Sequence, residues 1–117
     1  MSRKKIYISG KMGEKVLSQE TIEKFARAEE QLRTKGCDCV HNPACESFQE
    51  ALHDYLAYGN NGENKDAAIL LFDMGCIARC DAIYMLRDWK ESPGARAEYY
   101  YAKAIGLEII HEDESYT

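Results

Sequence analysis

The chain has 117 residues, 45% of them hydrophobic and 30% charged, the length of one domain with enough apolar side chains to bury a core. Twenty acids outweigh fifteen Lys and Arg for a net charge of −5, which argues against nucleic acid or an anionic bilayer as the main partner. No bilayer-length apolar run is present and no secretory leader is expected; with an odd number of cysteines, five, reduced thiols in a cytoplasm are the expectation.

Residues 4–9, KKIYIS, read as a strand because Ile6, Tyr7 and Ile8 are strong strand formers. Gly10 ends it and Lys11-Met12-Gly13 makes a loop of the kind that often cradles a ligand, without a full dinucleotide or nucleoside-triphosphate motif. Residues 18–35 form the clearest helix. Ser18 or Thr21 caps it, Ile22, Phe25, Ala26, Ala28, Glu29 and Leu32 recur at helical spacing, and Gly36 stops it. A second strand over residues 37–40 then completes a βαβ unit.

Cys37, Cys39 and His41 alternate along that strand and Cys45 follows. Two readings stand, a zinc site and a set of buried thiols. The spacing lacks the paired CxxC knuckles of closed zinc sites, so no metal is expected. Residues 47–58 carry Phe48, Leu52, Tyr55 and Leu56 at helical spacing, with His53 on the solvated side, and 59–62, GNNG, read as a mobile turn. Residues 65–79 are a second strong helix with Ala68, Ile69, Leu71, Phe72, Cys76 and Ile77 apolar. Asp73 falls inside this stripe, four after Ile69 and four before Ile77. It is either an inward functional acid or a residue at the stripe's edge that meets Arg79 or a backbone donor.

Residues 82–86, AIYML, read as a strand buried on both faces. Asp81, just before it, belongs at the sheet edge away from ligands and reads as structural. A loop over 87–94 with a Ser-Pro-Gly break leads to a helix over 95–105, closed by Gly106, and a strand over 107–110. This second βαβ unit makes its strands parallel neighbours. Ala95, Glu98, Ala102 and Ile105 share one helical face, and three of the four are apolar. The carboxylate among them lies in the first turn, at the strand ends where open α/β sheets bind ligands. The competing reading rotates the face and leaves Glu98 a solvated acid favoured by the helix dipole. The acidic tail, 111–117, is expected to fray.

Taken together, KIYISG at 5–10, Asp73 eight residues before Asp81, AIYML at 82–86, and the run from Trp89 through SPGARAE at 92–98 to AKAIGL at 102–107 resemble the nucleoside 2-deoxyribosyltransferase superfamily. The nearest likeness is to its small bacterial and phage members, with the deoxynucleoside 5′-monophosphate N-glycosidases as relatives. The resemblance covers nearly the whole chain as one domain, 1–117, and is weakest over 44–64. It implies an α/β fold, a flavodoxin-like (Rossmann-like) three-layer sandwich with a small parallel sheet in the order 2-1-3-4. It also implies cleavage of the N-glycosidic bond of a nucleoside or nucleoside 5′-monophosphate, by hydrolysis or base transfer, through a covalent glutamyl-sugar intermediate.

By the same resemblance Glu98 is the nucleophile, Asp73 orients or protonates the leaving base, Tyr7 orients the nucleophile, and Ser92 contacts a 5′-phosphate. Ser9, Gly10, Lys11, Gly94 and Arg96 are assigned to substrate or phosphate binding. Backbone N–H groups at 94–96 would complete a nest at the helix start. Trp89 either stacks on the base or anchors its loop on the core. No cofactor and no metal are implied. Family sites borrow residues across subunits, so a homodimer or larger homo-oligomer is implied, although the family's carboxyl-terminal Asn is not evident. The loop after the first strand is less Gly- and Ser-rich than in the glycosidases. The alternative is a non-catalytic nucleotide-binding or sensing module of the same fold.

Overall fold

The computed structural model describes residues 4–12, 17–58 and 64–112. Four parallel strands form one sheet in the order β2-β1-β3-β4: β1 Lys5–Ser9, β2 Cys39–His41, β3 Ala82–Met85 and β4 Glu108–His111. The helices are α1 Gln19–Thr34, α2 Glu46–Tyr58, α3 Lys65–Ile77 and α4 Pro93–Ala104, with a 3₁₀ turn at Trp89–Glu91. The architecture is α/β and flavodoxin-like, with the expected strand order.

β1 and β3, the two central strands, are buried on both faces, as a strand with a neighbour on each side and helices above and below must be. Alternation along them separates two cores. Ile6, Ile8, Ala82 and Tyr84 pack with Phe25, Ala28 and Leu32 of α1. Tyr7, Ile83 and Met85 pack on the other face with Ile77 of α3 and Ala102 of α4. The chain therefore leaves β1 toward one face and β3 toward the other, and the crevice between their carboxyl ends is the switch point at which such sheets bind ligands.

The helix ends follow local chemistry. Ser18 caps α1 by accepting from the Thr21 amide at 3.1 Å, and Asn64 does the same for α3 from Ala67 at 2.8 Å. α4 ends on Gly106, whose φ of +82° is open to a residue without a Cβ, while the Leu107 amide returns to the Ala102 carbonyl at 3.0 Å. Asp81 is structural at the far edge: its carboxylate accepts from the Lys5 amide at 2.9 Å.

Four expectations are corrected. The second strand runs two residues later at its start than 37–40, because pairing with Lys5–Tyr7 begins only at Cys39. Ala26 is exposed and the buried row of α1 is Thr21, Phe25, Ala28 and Leu32. Leu71 and Ile105 are 50% and 43% exposed, so neither faces the core; Ile105 lies past the last turn of α4 as its C-cap. The tail is anchored at its start: His111 completes β4, and the Glu112 carboxylate accepts from the Arg87 amide at 2.8 Å. The turn read at 59–62, Gly13 and the tail beyond Glu112 lie outside the described residues.

Candidate functional site

Glu98 is placed by α4. Ser92 caps that helix, accepting from the Ala95 amide at 3.2 Å, and Pro93 occupies its first turn, where a missing N–H costs nothing. This start fixes the helical phase that buries Ala95, Glu98 and Ala102 in one row. Glu98 is only 6% exposed, so the rotated, solvated reading of this acid does not hold.

β1 supplies its partners. Tyr7 and Ser9 are two apart on one strand and so share a face. Tyr7 Oη donates to Glu98 Oε2 at 3.3 Å and Ser9 Oγ donates to Oε1 at 2.7 Å. α3 supplies the fourth group: half-buried Asp73 shares a hydrogen bond with Glu98. The partner of Asp73 is thus the second acid and not Arg79, which is exposed. Three elements bring Tyr7, Ser9, Asp73 and Glu98 into one network. Among the described residues every buried side-chain nitrogen or oxygen has a partner.

One proton explains how two carboxyls tolerate this arrangement. Burial is the largest influence on both and pushes both up; Asp73 rises to about 9, with the neighbouring Glu98 charge adding to the effect. In Glu98, hydrogen bonds from Ser9, Asp73 and Tyr7 work against the burial. Asp73 therefore keeps the shared proton near neutral pH, and Glu98, with three donors around it, is the member that ionises first. Burial and the two acids hold Tyr7 well above the ordinary tyrosine value, so it stays a neutral donor. Cys76, one turn from Asp73, is raised chiefly by burial and then by the Asp73 charge. That makes it a poor thiolate.

The remaining predicted site residues line the loops at the same sheet edge. Gly10 follows β1 where a Cβ would stand 2.7 Å from Leu86 Cδ1, so the close approach of the two strand ends requires glycine. The Lys11 amide donates to Asp88 Oδ1 at 3.0 Å, and its ammonium lies 3.6 Å from Glu91. Ser92 uses its hydroxyl oxygen as the α4 cap and retains its proton for another acceptor. Gly94 is half-buried beside it and Arg96 is exposed. Trp89 stacks on Tyr99 at 4.4 Å between ring centroids and packs against the core, which is the loop-anchor reading. The structure thus joins Ser9 to the acid pair and does not join Trp89 to it.

Two features escape the sequence reading. Ser9, assigned above to substrate or phosphate binding, gives its hydroxyl to Glu98, and the period-2 alternation from Tyr7 is the signal that could have shown it. Lys24 of α1 reaches Asp88 Oδ2 at 2.6 Å and the Lys11 carbonyl at 2.8 Å. This clamp joins α1 to both loops at the sheet edge, and its partners are 64 and 13 residues apart, beyond the reach of any local pattern.

A groove of about 620 Å³ lies between α2, α3 and the end of β2, lined by Phe48, Tyr55, Leu71 and Phe72 among others. Neither acid lines it, although Phe48 touches Tyr7 edge-on at 6.3 Å. Among the described residues no group of three or more His, Cys, Asp or Glu is arranged to hold a metal ion, and no helix is long and apolar enough to cross a membrane.

Fold and site together define a flavodoxin-like α/β domain with a buried, hydrogen-bonded acid pair at its switch point. Residues 4–111 match the family described as a domain of unknown function (DUF4406), and the chain belongs to that family. No curated protein and no solved structure matches it.

Proposed function

We propose that this protein cleaves the N-glycosidic bond of a nucleoside or nucleoside 5′-monophosphate, with Glu98 as the nucleophile. One observation carries the reading: a buried carboxylate at the switch point accepts from Tyr7 and Ser9 and is bonded to a second acid that holds the proton. The resemblance to nucleoside 2-deoxyribosyltransferases assigns the same roles to Glu98, Asp73 and Tyr7.

The chemistry needs this division of labour. Breaking the bond builds positive charge on the sugar, which an ionised Glu98 stabilises and then captures at C1′. The bonding electron pair leaves with the base nitrogen, which takes the Asp73 proton. Water or a second base then attacks C1′, the ester bond breaks, and Glu98 departs as a carboxylate. With water, the proton released returns to Asp73. Two displacements at one carbon retain its configuration. A 5′-phosphate would lie against the start of α4, with Ser92, the Gly94 amide, Arg96 and Lys11 as its recognition groups.

The test is release of free base from a panel of nucleosides and their 5′-monophosphates, with and without an acceptor base. Wild type is expected to release base, and Glu98→Ala to lose at least about a thousandfold in rate. Equal turnover by the two proteins would end the assignment. The 6% exposure of Glu98 favours the second reading, a binding or sensing module. That reading predicts ligand-induced thermal stabilisation with no base released.

A further inference from the structure

The two oxygens of Glu98 are not equivalent. Oε1 receives the Ser9 hydroxyl at 2.7 Å, the length of a strong bond to an ionised acceptor. Oε2 receives the Tyr7 hydroxyl at 3.3 Å, beyond the usual range for two oxygens. The donors also differ in how firmly they are held. Ser9 is 1% exposed, pairs with Met85 in the central sheet, and its carbonyl accepts from the Leu86 amide at 2.8 Å. Its hydroxyl sits one bond from Cβ, so the strand itself fixes it. The Tyr7 hydroxyl stands at the far end of a long side chain.

We infer that Ser9 is the positioning residue of the site, holding Oε1 of Glu98 in place and leaving Oε2 as the oxygen that attacks the sugar. The inference rests on the glycosidic reading above for the word attack, and on geometry alone for the hold. A positioned carboxylate needs one oxygen fixed and one available. An oxygen engaged by a short, buried donor gives up that bond if it becomes the ester oxygen, whereas the long Tyr7 bond at Oε2 costs little to lose and the Asp73 bond to Glu98 is released in any case when its proton passes to the leaving base. Ser9 thereby acts through Glu98 and has no need to touch substrate.

The experiment separates the hold from the chemistry. Protein carrying ¹³C-labelled glutamate is titrated by NMR, with the Glu98 carboxyl identified by its disappearance in Glu98→Gln. In Ser9→Ala the Glu98 midpoint is expected to rise by about one pH unit, because a donor to its charged form is gone. In the same variant, kcat for base release should fall about tenfold or more, with KM changed less than about twofold. Ser9→Thr, which keeps the hydroxyl, should restore most of both. An unshifted midpoint in folded Ser9→Ala, or a Ser9→Thr protein no better than Ser9→Ala, overturns the inference. Should Ser9→Ala not fold, Ser9→Cys keeps the size with a weaker donor, and an unshifted midpoint there overturns it equally. A midpoint that moves as expected in a protein releasing no base supports the hold of Ser9 and counts against the glycosidic reading alone.

Discussion

At the scale of single residues, the site is a protonation problem solved by geometry. Two carboxyls sharing a hydrogen bond in a buried place cannot both ionise cheaply, and the protein divides the task by giving Glu98 three donors while Asp73 is desolvated beside it. The arrangement has a cost that pH reveals. Asp73 titrates near 3.8 as a free side chain and near 9 in the fold. Between those values the unfolded chain has lost a proton that the native state keeps. Stability contributed by neutral Asp73 is therefore complete below about pH 4 and declines as pH rises toward about 9. Asp73→Asn cannot ionise and still offers an N–H to Glu98. Urea unfolding at pH 5 and pH 8 should find its decline flattened, with the variant about 1–2 kcal/mol more stable than wild type at pH 8. An identical slope in both proteins would show that Asp73 is not the buried acid described.

At the scale of elements, the strands and helices were legible wherever periodicity and stop signals agreed. Ser18 and Gly36 bracket α1, and Gly106 closes α4. The weak points were short or peripheral. β2 pairs on one side only and is three residues long, so its start depends on where β1 offers partners, which no local pattern records. Leu71 and Ile105 looked inward because both are apolar, yet one side of each helix faces solvent regardless of what stands there. The contact between the ends of β1 and β3 is the element-level feature on which the site depends. Gly10→Ala would put a Cβ 2.7 Å from Leu86 Cδ1 and 2.9 Å from its Cβ. A loss of about 1–3 kcal/mol in a urea melt is expected, typical of overpacking. Because Gly10 follows Ser9 directly, the displaced strand end should also shift the NMR signal of the Glu98 carboxyl. An unperturbed melt would mean that the two strand ends have room to part.

At the scale of the whole molecule, the fold order 2-1-3-4 sends α1 to one face and α2, α3 and α4 to the other. That split is what lets a β1 side chain and two helices meet below one crevice. Glu98 and Asp73 were visible in the sequence as acids at apolar positions, and their meeting was not, since 25 residues and a central strand separate them. The clamp of Lys24 and Asp88 was invisible for the same reason. On the proposed function, a net charge of −5 gives a nucleotide monophosphate no general attraction, so its recognition would have to be local, at the start of α4 with Lys11 and Arg96.

The most direct test of the central claim is to look for the sugar on the protein. Wild type mixed with a substrate found in the nucleotide panel, quenched in acid and digested, should yield a peptide containing Glu98 heavier by one dehydrated sugar or sugar phosphate, and Glu98→Gln should yield none. Base release at full rate with that peptide unmodified throughout, or undiminished release by Glu98→Gln, would contradict the account.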